Sequence, residues 1–301
     1  MRTLTTSRTV SAAASGTWTL GDLPVHRIGF GAMRLTGSAA FHEGVPSDRA
    51  RSIAVLRRAV ELGVNHIDTA AFYFSRLRSA NELINTALAP YGDGLVIATK
   101  VGPARDASGA WAASARPDQL RGQVEENLRQ LGRDHLDLVN LRLMGQESLS
   151  EHFGALADLR AAGLVRHLGL SNARPEHLAQ ARAVAPVVCV QNRYGLDARE
   201  GEAMLRACAE LGIAFVPFFS IAGAGRESGA VRTERAEVLA VARAHGASAA
   251  QVRLAWTLAQ GDHVLAIPGT GDPDHVADNV AAGGLRLTED ELRLLDAIPH
   301  S

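Results

Sequence analysis

Lysine is nearly absent from this chain. Its 31 basic residues are thirty arginines and one lysine, Lys100. The two side chains serve equally well as solvated surface charge. Only Lys can be desolvated to a useful pKa or offer a compact point charge to a neighbouring hydroxyl. Cysteine is scarce as well: Cys189 and Cys208 are the two present, and they do not form a pair at metal-ligand spacing. That excludes a disulfide scaffold and any metal motif built on paired thiols. Both are expected to be inert thiols in a reducing, cytoplasmic setting. No apolar run is long enough to span a bilayer. Residues 1–16 carry Thr, Ser and Ala without the apolar stretch of a secretory signal, and read as a disordered tail. The net charge is −1, which gives no electrostatic ground for binding nucleic acid or an acidic membrane surface. Partners are therefore expected to be small molecules, with the chain a monomer or a small homo-oligomer.

What is present is rhythm. Hydrophobic residues make up 47% of the 301, enough to fill one large core. A short hairpin is expected around residues 17–28, turning at Gly21-Asp22. A first strand follows at 28–33. Short continuous apolar runs then recur at 64–68, 95–100, 136–141, 165–170, 187–191, 213–218 and 264–267. Helical patterns alternate with them, at 48–62, 79–88, 117–131, 148–162, 175–184 and 200–211. Four more are expected at 234–245, 249–260, 272–282 and 288–297. Continuous rather than alternating runs mark strands covered on a parallel sheet. Eight strands in βα alternation close a barrel, so residues 17–301 are expected to form one (β/α)₈ TIM-barrel domain with a hairpin cap. An open doubly wound sheet would place a glycine-rich fingerprint after the first strand. Gly29-Phe30-Gly31-Ala32-Met33 lacks its third glycine.

Barrel enzymes carry their chemistry at the carboxyl ends of the strands. That rule selects Met33, Asp68, Lys100, Arg142, Ser171-Asn172, Gln191, Phe218 and Gly269. An aspartate beside Lys100 holds the ammonium charged, and a charged ammonium lowers the pKa of a neighbouring phenol. Tyr73, one of three tyrosines, would then be a proton donor to a carbonyl oxygen. The same residues are also compatible with a rim ion pair and an incidental tyrosine.

His66-Ile67-Asp68-Thr69-Ala70-Ala71-Phe72-Tyr73, Asn81-Glu82 and Val96-Ile97-Ala98-Thr99-Lys100 together resemble the aldo-keto reductase pattern. Leu136-Asp137-Leu138, Gly169-Leu170-Ser171-Asn172, Val190-Gln191-Asn192 and Ile267-Pro268-Gly269-Thr270 with Asn279 extend the resemblance over nearly the whole chain. It implies NAD(P)H-dependent reduction of an aldehyde or ketone. Tyr73 would be the general acid, tuned by Asp68 and Lys100. Ser171, Asn172 and Gln191 would hold the nicotinamide carboxamide, Phe218 would stack on its ring, and Met33 would lie beside it. Gly269-Thr270-Gly271, His275 and Asn279 would hold the adenosine phosphate end.

Four features depart from the pattern. Arg142 stands where the family has a histidine; it can donate a hydrogen bond but cannot shuttle a proton. It is expected to bind a carbonyl or an anionic group, or else to pair with an acid such as Asp68, and Asn140 should face the same interior. Phe74 follows Tyr73 where glycine is usual, bringing Arg76 and Arg78 near the substrate loop, and it can displace Tyr73. The usual cations for a 2′-phosphate are replaced by Gly269 and His275, with Asp272 between them. NADPH is expected from the resemblance, with NADH left open. The segment 220–233 is short for a cofactor clamp, which implies fast exchange. Arg34, Phe72, Phe74, Arg76 and Trp111 are expected to wall the substrate pocket. A Schiff-base lyase using Lys100 and a cofactor-binding barrel of low turnover stand as the alternative functions.

Overall fold

In a computed structural model, residues 10–37, 45–106, 108–221 and 234–300 are described. A hairpin comes first: β1 (Thr17–Leu20) pairs antiparallel with β2 (Leu23–His26). Seven parallel strands follow in a curled sheet. They are β3 (Phe30–Gly31), β4 (His66–Asp68), β5 (Val96–Val101), β8 (Leu136–Arg142), β9 (Val165–Ser171), β10 (Cys189–Gln191) and β11 (Ala214–Phe215). A small antiparallel pair, β6 (Ala104–Arg105) and β7 (Trp111–Ala112), projects after β5.

The eighth stave is the segment 264–267. Phe215 bridges Val264 and Ile28 bridges Ala266, both in parallel. Leu265 N donates to Phe215 O at 2.9 Å and Gly29 N donates to Ala266 O at 2.8 Å, which closes the barrel. The seam needs glycine. A Cβ on Gly31 would lie 2.6 Å from Ile267 O, and one on Gly269 would collide with Gly31 O.

Helices cover the outside. They are α1 (Arg49–Glu61), α2 (Ala80–Leu88), α3 (Leu120–Leu131), α4 (Ser150–Ala161), α5 (Pro175–Val184), α6 (Glu202–Leu211), α7 (Ala236–His245), α8 (Ala249–Ala259), α9 (Pro273–Ala281) and α10 (Glu289–Asp296). Each corresponds to a helical pattern in the sequence. Asp48 and Ser79 cap α1 and α2 through side-chain oxygens, and Pro175 and Pro273 open α5 and α9.

Strand alternation divides the interior in two. Outward residues such as Ile67, Ile97, Val139, Leu168 and Val190 pack under the helices. Inward residues Val96, Ala98, Leu138, Cys189, Ala214, Val216 and Leu265 form a second core, closed from below by Leu20 and Val25 of the hairpin. The next inward positions along the same strands are Lys100, Asn140, Arg142, Gln191 and Ile267. The floor is apolar and plugged, so polar groups accumulate at the carboxyl end.

One expectation about the termini is corrected. Residues 12–15 are not part of a disordered tail but a turn of 3₁₀ helix. Ala12 is fully buried, and the Ser15 hydroxyl accepts from Ile28 N at 3.0 Å. The rest of the expected tail, residues 1–9, lies outside the described residues. No helix among the described residues is long and apolar enough to cross a membrane.

Candidate active site

Asp68 ends β4, and Lys100 lies one residue before the end of the neighbouring β5, so their side chains meet above the apolar floor. Lys100 Nζ donates to Asp68 Oδ1 at 2.6 Å, to Asp68 Oδ2 at 2.8 Å and to Thr69 O at 3.0 Å. Burial alone would lower the Lys100 pKa, but the Asp68 carboxylate and then Tyr73 raise it above the ordinary value. Lys100 is therefore a fixed ammonium with its hydrogens engaged, which argues against its use as a Schiff-base amine. Its nitrogen sits 4.9 Å from the Tyr73 ring centre.

For Tyr73 the expected direction of the pKa shift is corrected. Burial raises the phenol above its ordinary value, and the opposing charge of Lys100 only reduces the rise. The phenol stays protonated at neutral pH, the state a proton donor needs. The other tyrosines have structural partners: Tyr91 donates to Leu131 O at 2.6 Å, and Tyr194 stacks on Trp256 with ring centres 5.8 Å apart.

Phe74 does not displace Tyr73. Arg105 of β6 lies 4.0 Å over the Phe74 ring and donates to Phe72 O at 3.0 Å and Phe74 O at 2.8 Å. It thus clamps the carbonyls on either side of Tyr73, which sequence reasoning missed because no motif marks it. Phe72 meets Tyr73 edge-on at 5.2 Å and Trp111 at 5.8 Å. Arg78 is drawn away to Ser47 O, while Arg76 is exposed.

A cavity of about 530 Å³ opens above this group. Asp68, Tyr73, Arg142, Gln191, Met33, Arg34 and Phe218 line it, as do Gly269, Thr270, Gly271, His275 and Asn279. The last two, with Asp278, share one face of α9 through their three- and four-residue spacing. Ser171 and Asn172 are not among the lining residues. Ser171 Oγ is nonetheless buried without a partner, and Asn172 takes a left-handed φ of 57° while donating to Leu143 O at 3.0 Å. Gln191, expected to be free for a ligand amide, donates to Asp68 Oδ2 at 2.8 Å. Phe219 lines the cavity at a φ of 64°, a strained conformation for a bulky residue and one that clusters at functional sites. Its adjacency to Phe218 was the only sequence signal for it.

Arg142 ends β8 at the cavity wall, 5.8 Å from the Phe218 ring centre, and its Nε is buried without a partner. Among the described residues no carboxylate pairs with it, so the alternative of a bridge to Asp68 is not what forms. Asn140 faces the same interior, as expected. Both ends of its amide lack partners, and a side chain on Gly169 would collide with it.

The residues present fit a dinucleotide. The glycine crossing of Gly31 and Gly269 leaves a floor without side chains. The start of α9 is the positive end of a helix dipole, which favours an anion, and Ser171 Oγ is an unused buried donor. At that end Asp272 is not an uncompensated charge. Arg51 donates to Gly271 O at 3.0 Å and to Asp272 Oδ2 at 2.6 Å, a cation that the motif comparison overlooked. Most of the segment expected to clamp the cofactor, residues 222–233, lies outside the described residues. No group of acidic, His or Cys side chains among the described residues could hold a metal ion.

Comparisons with known proteins agree with this geometry. The family model described as "Aldo/keto reductase family" matches residues 27–299. The chain is 42% identical to pyridoxine 4-dehydrogenase of Escherichia coli over 95% of its own length and 99% of the relative's. It is 32% identical to a methylglyoxal reductase of the same organism, covering 92% of each chain. Among solved structures, an aldo-keto reductase from Klebsiella pneumoniae in complex with NADPH superposes with a TM-score of 0.76. It shares 29% identity and 93% coverage of both chains. With its matched span, barrel topology and relatives all in accord, this chain is an oxidoreductase belonging to the aldo/keto reductase family.

Proposed function

We propose that this protein uses NADPH to reduce an aldehyde to an alcohol, with Tyr73 as general acid, and that the pyridoxal–pyridoxine pair is its leading substrate. The observation that carries the reading is Tyr73 packed beside the Asp68–Lys100 ion pair in the wall of a cavity that continues along Gly269–Gly271 to α9. NADPH bound along that track supplies the hydride. Lys100 holds positive charge beside the phenol and stabilises it as its proton leaves. Asp68 fixes the ammonium, and Gln191 and the Thr69 carbonyl fix that pair. Arg142 lines the same cavity, where it can donate a hydrogen bond to the carbonyl compound.

The cofactor reading is supported by the NADPH-bound structural neighbour and by the glycine floor. The substrate reading is supported by the 42% identical relative. A cytoplasmic setting belongs to the same proposal, as both cysteines are buried and free. The reading as a monomer or small homo-oligomer also belongs to it. The test is loss of NADPH absorbance on adding pyridoxal, with NADH run in parallel. Turnover with NADPH supports the reading. A protein that binds NADPH yet reduces neither pyridoxal nor methylglyoxal would contradict it.

A further inference from the structure

We infer that Arg142 is a specificity anchor for an oxygen anion carried next to the substrate carbonyl; this rests on the reading of Tyr73 as proton donor. The charged groups that act on Tyr73, namely Lys100, Asp68 and Arg142, lead there. Asp68 and Lys100 cancel each other at 2.6 Å, and the second carboxylate oxygen also accepts from Gln191. Arg142 makes no ion pair among the described residues, and its Nε is buried without a partner. A charged donor left unpaired in a cavity wall is costly, and a bound anion relieves that cost.

Geometry selects the kind of anion. Arg142 and Tyr73 line the same cavity, and β8 delivers the guanidinium to the inward face one inward position beyond Asn140, the residue in register with Lys100. The Arg142 charge acts on the Tyr73 phenol, so a carbonyl compound whose two oxygens sit close together can present its carbonyl oxygen to Tyr73 and the second oxygen to Arg142. The planar guanidinium, 5.8 Å from the Phe218 ring centre, suits a planar oxygen anion. Two substrate chemistries share that feature, an aromatic aldehyde with an ionised hydroxyl adjacent to the formyl group and a 2-oxo acid. The aromatic side chains in the cavity wall, Tyr73, Phe218 and Phe219, favour the first.

The test is a substrate pair for each source. Pyridoxal, whose ring hydroxyl is next to its formyl group, is compared with pyridine-4-carbaldehyde, which lacks it. Phenylglyoxylate is compared with its neutral methyl ester. The anchor predicts that the wild-type enzyme favours the anionic member of at least one pair by about 10- to 100-fold in kcat/KM, the range of a charge-assisted hydrogen bond. In Arg142→Gln that ratio falls to within about two-fold of unity, and in Arg142→Lys it is partly kept, because a point charge replaces the fork. The pair that shows the preference identifies the source. No preference in either pair, a preference that survives Arg142→Gln, or equal losses for both members would overturn the anchor. Failure of the proton-donor reading is seen separately, as full turnover of all four compounds by Tyr73→Phe.

Discussion

At the scale of single residues, the site is set by how burial and charge compete. Tyr73 is the clearest case. A neighbouring ammonium alone suggests an acidic phenol, whereas the structure adds the desolvation that keeps it protonated. The consequence is directional. Under the proposed mechanism, carbonyl reduction uses the protonated phenol and should hold its rate through neutral pH, falling only above about pH 10, the ordinary tyrosine value. Alcohol oxidation needs the phenolate and should rise with pH over the same alkaline range. Profiles of kcat/KM in both directions check this, and a reduction limb that falls near pH 7 would contradict it. His66, one layer below Asp68, titrates for a different reason. Burial pushes it down to about 4 from 6.5, so it is neutral in the folded chain. The unfolded chain binds the extra proton first as pH falls. Stability that is intact above 6.5 is therefore lost between 6.5 and about 4, by about 3 kcal/mol. Urea unfolding at pH 7 and pH 4.5, compared with His66→Gln, should show a smaller pH-dependent loss in the variant.

At the scale of elements, alternation along each strand explains why the catalytic candidates were legible. Asp68, Lys100, Arg142, Gln191 and Phe218 each stand at or near a strand end, on the inward parity, and apolar runs announce where strands stop. Arg105 and Phe219 were not legible. Arg105 acts through the small pair β6–β7, whose two-residue strands have no periodicity to detect, and Phe219 owes its place to a backbone turn. The clamp on the Phe72 and Phe74 carbonyls makes Arg105 a positioning residue. Arg105→Ala should lower kcat about ten-fold or more while NADPH affinity, read by fluorescence titration, stays within about two-fold, since small displacements of a reacting group are costly. Arg51 escaped notice because it reaches Gly271 and Asp272 from α1, far away in sequence.

At the scale of the whole molecule, the barrel separates what holds the fold from what performs the chemistry. The fold was readable because eight apolar runs and the intervening helices leave few ways to bury them. The ordered turn at residues 12–15 was missed because small residues such as Ala12 carry little hydrophobic signal, even though Ala12 is fully buried. The separation can be tested at its two ends. Leu20 plugs the floor and is 1% exposed, so Leu20→Ala should cost about 2–5 kcal/mol with little change in KM. Gly269→Ala is expected to do both kinds of damage. Its methyl would meet Gly31 O across the seam, costing about 1–3 kcal/mol, and would intrude on the cofactor track, raising the Kd for NADPH. Thermal unfolding alongside steady-state kinetics separates the two outcomes.

The most direct measurement is turnover of pyridoxal by Tyr73→Phe, with NADPH affinity measured on the same preparation. A proton held by Tyr73 predicts a kcat lower by about 10²- to 10⁴-fold with the NADPH Kd unchanged within about two-fold. A variant that binds NADPH normally and turns over within ten-fold of the wild type would mean the proton comes from elsewhere.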